Sequence, residues 1–312
     1  MDKFKFNNHL KQLPSKQERL KLFGSVSPGP KTKPVNKCDM KDLQNVQKDF
    51  LFKLDQVGID RVKHPVTVIS KTHPNEQTTI ANFTFTSAIK QTSKGTNMSR
   101  FMEQLNNYHK KGFIADFTTL KTFTKELASR LKQEDATISV GFPWFFERRG
   151  PQSNLPGLNH ADIEMTTTYH KTNGFSISAS LTASITTLCP CSKEISEYSA
   201  HNQRGHVTMD VQFMEHYDEG EMDWKLELLE AAESNASARL HPVLKRPDEK
   251  MVTEQAYENP RFVEDVVRLV AADLYEMDFI RAFKVTCRNE ESIHMHDAIA
   301  SLSFDKLKEV GS

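Results

Sequence analysis

Thiol and imidazole side chains are concentrated in one segment of the sequence. Residues 188–207 read LCPCSKEISEYSAHNQRGHV and contain Cys189, Cys191, His201 and His206. Such side chains bind zinc and similar transition ions. A closed structural site of all four has an acceptable H-x4-H spacing, but its C-x-C pair is tighter than the spacer of about two to four residues usual in such sites. An open catalytic site, with one Cys, one His and a ligand from elsewhere, would leave a position for water.

A charged segment at 240–254, LHPVLKRPDEKMVTE, contains candidate ligands for such a site. Asp248 and Glu249 lie there beside three cations. The segment is either a charged loop between helices or a loop that holds both a metal and a phosphorylated ligand. The three cations are Lys245, Arg246 and Lys250.

A pair of histidines follows in 288–300, RNEESIHMHDAIA, with Glu291 just before it. The alternation in this segment predicts a strand, on which His294 and His296 share one face. They are either two stacked surface histidines or a ligand or proton-transfer pair, since histidine titrates near neutrality.

Glu264 lies near the start of a helix that we predict at 258–277, with Asn259 as its N-cap and Pro260 as its first helical residue. A carboxylate in a first helical turn is favoured by the helix dipole, so a capping role explains it. The alternative is a buried carboxylate that accepts hydrogen bonds from a ligand.

The elements that position these residues occur in a repeated order. Each half of the chain reads strand, strand, helix, helix, strand, strand, which indicates an antiparallel α+β sheet with helices on one face. We predict two related modules, at 43–173 and 174–312, after a basic flexible extension at 1–42. Asn97 or Ser99 is the expected cap of the first helix. The predicted strands are 64–70, 77–89, 137–146, 162–170, 175–188, 206–213, 279–289 and 293–304, and the predicted helices are 98–111, 117–133, 221–240 and 258–277.

Composition excludes several classes of protein. The 312 residues carry 41 Lys and Arg against 41 Asp and Glu, and this balance argues against a nucleic-acid binder. Residues 1–37 hold nine cations and two acids, so their net charge is +7 and that of the remaining residues is −7. The extension is therefore either a solvated tail or an arm that binds polyanions. Neither a membrane span nor a secretory signal is expected. Four cysteines are too few for a disulfide scaffold, which favours a cytoplasmic protein.

The motifs resemble those of one known family, GTP cyclohydrolase of type IB. The similarity covers about 43–304 and leaves the basic extension outside. KGTNMSRF at 94–101 resembles the family's KGTHMSRF, with Asn97 where His is usual. The other matching segments are LQNVQKDFLFKLDQVGIDRVKHPV, LCPCSKEIS, AHNQR, LKRPDEKMVTEQAYENPRFVEDVVR and ESIHMHDAIA.

The resemblance implies a tunnelling fold of two ββααββ modules, in a homotetramer with active sites near subunit interfaces. It also implies the conversion of GTP and water to formate and 7,8-dihydroneopterin 3'-triphosphate, with zinc, manganese or iron as the metal. Cys189 matches the family's catalytic, metal-contacting cysteine. His201 and Glu249 match its other metal ligands. Glu291 and His294 match residues of the active-site cluster, and Glu264 matches the carboxylate that anchors the purine.

The implied reaction fits these residue types. A metal held by Cys189, His201 and Glu249 would lower the pKa of the water that adds at C8 of guanine. His294, with His296 nearby, could shuttle protons. The two oxygens of Glu264 match the N1–H and N2–H donors of guanine. The expected triphosphate contacts are Lys193, Arg204, Lys245 and Arg246.

Three alternatives remain open at this stage. One is an archaeal-type cyclohydrolase that gives a cyclic-phosphate pterin, and another is a nitrile reductase of the same fold that uses NADPH. The third is a non-catalytic, metal-stapled scaffold that binds purines. In any of the enzymes Asn97 cannot carry a proton at neutral pH, and Cys191 is expected to be a packed thiol.

Overall fold

The computed structural model describes residues 11–308 and contains an antiparallel sheet of eight strands. The strands pair in chain order, so each lies beside the strands that precede and follow it. Residues 1–10 of the predicted extension lie outside the described residues. The strands are β1 (Leu54–Ile69), β2 (Glu76–Ile89), β3 (Asp135–Arg149), β4 (Pro156–His170), β5 (Gly174–Leu188), β6 (Asn202–Phe213), β7 (Ile280–Glu290) and β8 (Ala298–Asp305).

Seven α-helices accompany the sheet among the described residues. Two lie between β2 and β3, one between β5 and β6, and three between β6 and β7. The helices are α1 (Lys16–Leu22), α2 (Ser99–His109), α3 (Phe117–Leu131), α4 (Pro190–Ile195), α5 (Trp224–Ser234), α6 (Arg246–Glu258) and α7 (Val263–Glu276).

The predicted α+β class and the doubled ββααββ order are confirmed. Each half begins and ends with a pair of strands, and the second half adds helices α4 and α6. β4 pairs with β5 from Asp162 opposite Thr182 to His170 opposite Gly174, so one sheet continues from the first half into the second.

The core lies between the sheet and the helices because alternate strand residues point to the same side. On β2, Phe83 and Phe85 are fully buried and stack at 5.5 Å between ring centres, whereas Ile80 faces the other way and is exposed. Phe85 also stacks on Phe123 of α3 at 5.4 Å. No helix within residues 11–308 is long and apolar enough to cross a membrane.

Several predicted helix ends are wrong. The predicted extension contains α1, whose N-terminus is closed by reciprocal hydrogen bonds between Ser15 and Glu18. Neither Asn97 nor Ser99 caps α2, because the N-cap position falls on Met98, whose side chain makes no capping hydrogen bond. The predicted strand at 64–70 is the end of β1, which begins ten residues earlier at Leu54.

Candidate active site

One edge of the sheet collects most of the predicted site residues. β5 and β7 both run antiparallel to β6, so their carboxyl ends lie at the same edge. The β5–β6 connection (residues 189–201) and the β7–β8 connection (residues 291–297) therefore begin side by side. These two connections carry the predicted thiol and imidazole groups.

Cys189 lies where β5 ends and α4 begins. It occupies the N-cap position of α4, and its backbone N–H donates to the carbonyl of His201 at 3.1 Å. Its side chain is half-buried, whereas Cys191 is exposed, so the expected packing of Cys191 is wrong. Pro190 occupies the first helical position of α4, and this short helix buries none of its residues, Cys191 included.

Two hydrogen bonds join the start of β6 to the β7–β8 connection. His201 Nδ1 lies 3.0 Å from Ser292 Oγ, and Gln203 Nε2 donates to Glu291 Oε1 at 3.2 Å. Sequence reasoning missed both Ser292 and Gln203, since no local spacing signals a contact between segments this far apart. These contacts hold His201, which is hydrogen-bonded to Cys189 through the backbone, against the β7–β8 connection.

His294 and His296 lie in the β7–β8 connection and not on a strand, so that part of the prediction is wrong. Strand pairing stops at Asn289 opposite Ala298, because β8 begins only there. The two imidazoles nevertheless stack, with ring centres 5.0 Å apart and planes 13° from parallel. Both are exposed, so they are accessible to a ligand.

The start of α7 also reaches this edge. The backbone N–H of Arg261 donates to the carbonyl of Leu188 at 3.0 Å, directly before Cys189. The helix begins at Val263, so Asn259 and Pro260 do not cap it. The capping carboxylate is Asp265, which accepts from the Phe262 N–H at 3.0 Å.

Glu264 is the other acid in the first turn of α7. Its side chain is exposed and makes no hydrogen bond or ion pair with the described residues. Because Asp265 performs the capping, capping does not account for Glu264, and its two oxygens are available to a ligand.

The charged segment at 240–254 is a loop only as far as Lys245, and its remainder forms most of α6. Asp248 is fully buried and accepts from the backbone N–H groups of Gln152, Ser153 and Lys245 at 2.7, 2.8 and 2.8 Å. Burial alone would raise the pKa of this carboxyl, but hydrogen bonds from Ser153, Lys245 and Gln152 outweigh it and hold the pKa well below its usual range. Asp248 therefore fixes the N-terminus of α6 on the β3–β4 turn.

Glu249 follows in the first turn of α6 and is exposed. Its side chain makes no hydrogen bond or ion pair with residues 11–308. Since a helix rises about 1.5 Å per residue, Glu249 lies about 12 Å along the axis from Tyr257 near the other end of α6.

Lys193 ties that other end of α6 to α4. Its Nζ donates to the carbonyl of Tyr257 at 2.6 Å and lies 4.3 Å from the centre of the tyrosine ring. A cation that caps last-turn carbonyls stabilises a helix end. The other predicted phosphate ligands, Arg204, Lys245 and Arg246, are exposed and make no side-chain ion pair with the described part of the chain.

The four side chains of the closed zinc site do not converge. His206 Nε2 lies 3.2 Å from Glu290 Oε1, and its Nδ1 lies 3.4 Å from Ser184 Oγ. Within residues 11–308 there is no group of three or more His, Cys, Asp or Glu side chains placed to hold a metal. The arrangement therefore brings Cys189 and His201 together and leaves Glu249 apart from them.

A cavity of about 860 Å³ opens on the face of the sheet away from the core, where polar residues of β4 to β8 line it. None of the predicted site residues is among them. Volume is thus a poor guide to the chemistry of this molecule. Its charged lining residues are Glu164, Asp210, Arg281, Lys284, Asp305 and Lys308.

The chain is an α+β protein whose single antiparallel sheet carries a thiol, imidazoles and carboxylates in the connections along one edge. The chain belongs to the family described as type I GTP cyclohydrolase folE2, whose family model matches residues 40–300. The predicted family is confirmed.

Curated relatives match almost the whole chain. A GTP cyclohydrolase FolE2 of Oceanobacillus iheyensis is 66% identical over 299 residues, which cover 96% of this chain and 99% of the relative. A GTP cyclohydrolase FolE2 of Bacillus subtilis is 57% identical over 296 residues, or 94% of this chain and 96% of the relative.

Two solved structures with a partial likeness to the chain are uricases. The uricase of Arthrobacter globiformis has a TM-score of 0.47 and 10% identity, with 82% of this chain and 94% of that chain covered. The uricase of Bacillus fastidious has a TM-score of 0.48 and 8% identity, with 82% and 96% covered.

Proposed function

We propose that this protein is a GTP cyclohydrolase of the tetrahydrofolate and pterin pathway, in the cytoplasm. It converts GTP and water to formate and 7,8-dihydroneopterin 3'-triphosphate. The observation that carries the proposal is the 66% identity, over 96% of the chain, to a protein named GTP cyclohydrolase FolE2. The placement of Cys189 beside His201 supports it.

We propose a divalent metal, either zinc, manganese or iron, as the cofactor. Part of the predicted ligand set is placed to bind it. Cys189 and His201 are adjacent, and the ring contact of His201 uses Nδ1, which leaves Nε2 for a metal. Glu249 lies apart from this pair in the described part of the chain, and its exposed, unpaired carboxylate is the proposed third ligand. When bound, such a metal lowers the pKa of a water molecule and leaves a coordination position for it.

The purine and the phosphates have candidate partners around the same edge. Glu264 accepts from N1–H and N2–H of guanine, which adenine cannot match. Arg204, Lys245 and Arg246 supply exposed cations for the triphosphate, and Lys193 can join them only by leaving the carbonyl of Tyr257.

Proton transfer is assigned to the β7–β8 connection. The stacked His294 and His296 are exposed, and imidazole side chains are common general acids and bases for proton transfers such as those of ring opening and formate loss. Glu291 accepts a hydrogen bond from the Gln203 side chain and lies three residues before His294 in the sequence.

A homotetramer with active sites near its interfaces is part of the proposal. Both connections at the site expose large apolar side chains, and clustered exposed apolar groups are typical of interaction surfaces. These side chains are Ile195 and Tyr198 on one connection and Ile293 and Met295 on the other.

The deciding experiment incubates the purified, zinc- or manganese-loaded protein with GTP. We expect formate release and, after oxidation, the fluorescence of a pterin with the mass of the linear triphosphate. A cyclic-phosphate product would instead indicate the archaeal-type reaction. GTP binding without formate under both metals would reduce the protein to a purine-binding scaffold.

A further inference from the structure

Ser292 is the hydrogen-bond partner of the predicted metal ligand His201. The two residues belong to different connections, and His201 Nδ1 lies 3.0 Å from Ser292 Oγ. We propose that Ser292 is a positioning residue of the metal site, which accepts the Nδ1 proton of His201 and so leaves Nε2 free to bind the ion. The inference rests on the proposed function, since it assumes that His201 is a ligand.

The residues on both sides of this contact make hydrogen bonds of their own. The Cys189 N–H donates to the carbonyl of His201, which fixes the residue beside the thiol. Gln203 is 9% exposed and donates to Glu291, which fixes the residue before Ser292. The side-chain bond between Ser292 and His201 is then the contact that selects the ring orientation.

The chemical reason is the two tautomers of neutral histidine. A ring that binds a metal through Nε2 must carry its proton on Nδ1, and a hydrogen-bond acceptor at Nδ1 favours that tautomer. A serine hydroxyl accepts such a proton through an oxygen lone pair. Loss of a partner of this kind weakens metal binding by about 10–100-fold.

The test measures zinc affinity of the full-length, metal-free protein by competition with a chelating dye. We expect Ser292→Ala to bind zinc about 10–100-fold more weakly. Ser292→Thr keeps the hydroxyl and should stay near the unmodified protein. The matched control is Ser301→Ala, at an exposed serine on β8 with no side-chain hydrogen bond to the described residues.

A second readout separates orientation from folding. The absorption spectrum of the cobalt-substituted protein should change in Ser292→Ala and return in Ser292→Thr, because it reports ligand geometry. Ser292 is exposed, so the thermal midpoint of the metal-free variant should match that of Ser301→Ala.

Failure of the inference and failure of the proposed function give different results. If His201→Ala binds zinc as tightly as the unmodified protein, His201 is not a ligand, and the ligand assignment of the proposed function is lost. If His201→Ala loses zinc but Ser292→Ala behaves like Ser301→Ala, only the role of Ser292 is overturned.

Discussion

Asp223, at the start of α5, accepts a hydrogen bond of 2.9 Å from the hydroxyl of Ser70, at the end of β1. The backbone N–H of Lys71 donates to the same carboxylate at 2.9 Å. Asp223 also forms an ion pair of 2.7 Å with Lys225, and both side chains are only 5% exposed. One buried carboxylate therefore connects the β1–β2 turn of the first module to a helix of the second.

Replacing this carboxylate should destabilise the whole chain. Asp223→Ala leaves the Lys225 ammonium buried without its partner, and breaking a buried pair in this way costs about 3–5 kcal/mol. Urea unfolding measures the change. The double variant Asp223→Ala with Lys225→Met should recover part of the loss, because the buried charge is gone. Asp162→Ala, at an exposed position of β4, should stay within about 0.5 kcal/mol.

Asp248→Asn should loosen the N-terminus of α6 in a pH-dependent way. Hydrogen bonds lower the pKa of Asp248 on folding, against the effect of burial. Its stabilising effect is therefore fully present above the unfolded pKa of about 3.9 and is lost as the pH falls through the lower folded value. The variant should melt at a lower temperature than the unmodified protein at pH 7, and the gap should narrow below about pH 4. An equal gap at pH 7 and at pH 2.5 would contradict this account.

The strands were predictable because their residues alternate between core and solvent. α6 was not, because its only buried residues are Asp248 and Ala256, so no apolar stripe marks it. The apparent strand at 293–296 had the right alternation, but no neighbouring strand pairs with it. Local pattern therefore predicts an element only where tertiary packing uses that pattern.

The residues of the candidate site also differ in how far the sequence predicts them. Cys189 and His201 were recognisable from residue type and motif, and the chain brings them together. The contacts of His201 with Ser292 and of Lys193 with Tyr257 join residues far apart in sequence, which residue spacing cannot indicate. The predicted N-cap of α7, Asn259, was wrong because the helix starts later, at Val263, where Asp265 accepts from the Phe262 N–H.

Glu264→Ala should weaken guanine recognition without weakening the fold. The variant loses two hydrogen bonds from guanine to a charged acceptor. Since each tenfold change in Kd corresponds to about 1.4 kcal/mol of binding free energy, we expect GTP to bind about 10–100-fold more weakly. Inhibition by guanosine should weaken in parallel, since it shares the base. The adjacent Asp265→Ala should instead lower the melting temperature, because Asp265 caps α7. A Glu264→Ala protein with normal affinity for guanosine would remove Glu264 from the base site.

Cys189→Ala should abolish formate release from GTP. The Cys189 side chain is the expected metal ligand and lies at the N-cap of α4, whereas Cys191 is exposed and is not among the expected ligands. Circular dichroism should show an unchanged fold. Cys191→Ala is the matched control and should keep its activity. Full turnover by Cys189→Ala would falsify the assignment of the reaction to this edge.

Arg204→Ala should raise KM for GTP with little change in kcat. Its exposed guanidinium lies on β6 beside the site, and a phosphate contact remote from C8 contributes equally to ground-state and transition-state binding. We expect about a tenfold rise in KM, which corresponds to about 1.4 kcal/mol and should shrink at high salt. Inhibition by guanosine, which has no phosphate, should be unchanged, whereas Glu264→Ala weakens it. Lys63→Ala, on β1, removes the same charge elsewhere and should leave both constants as they are. A parallel loss of guanosine affinity in Arg204→Ala would show that the arginine supports the base pocket and not the triphosphate.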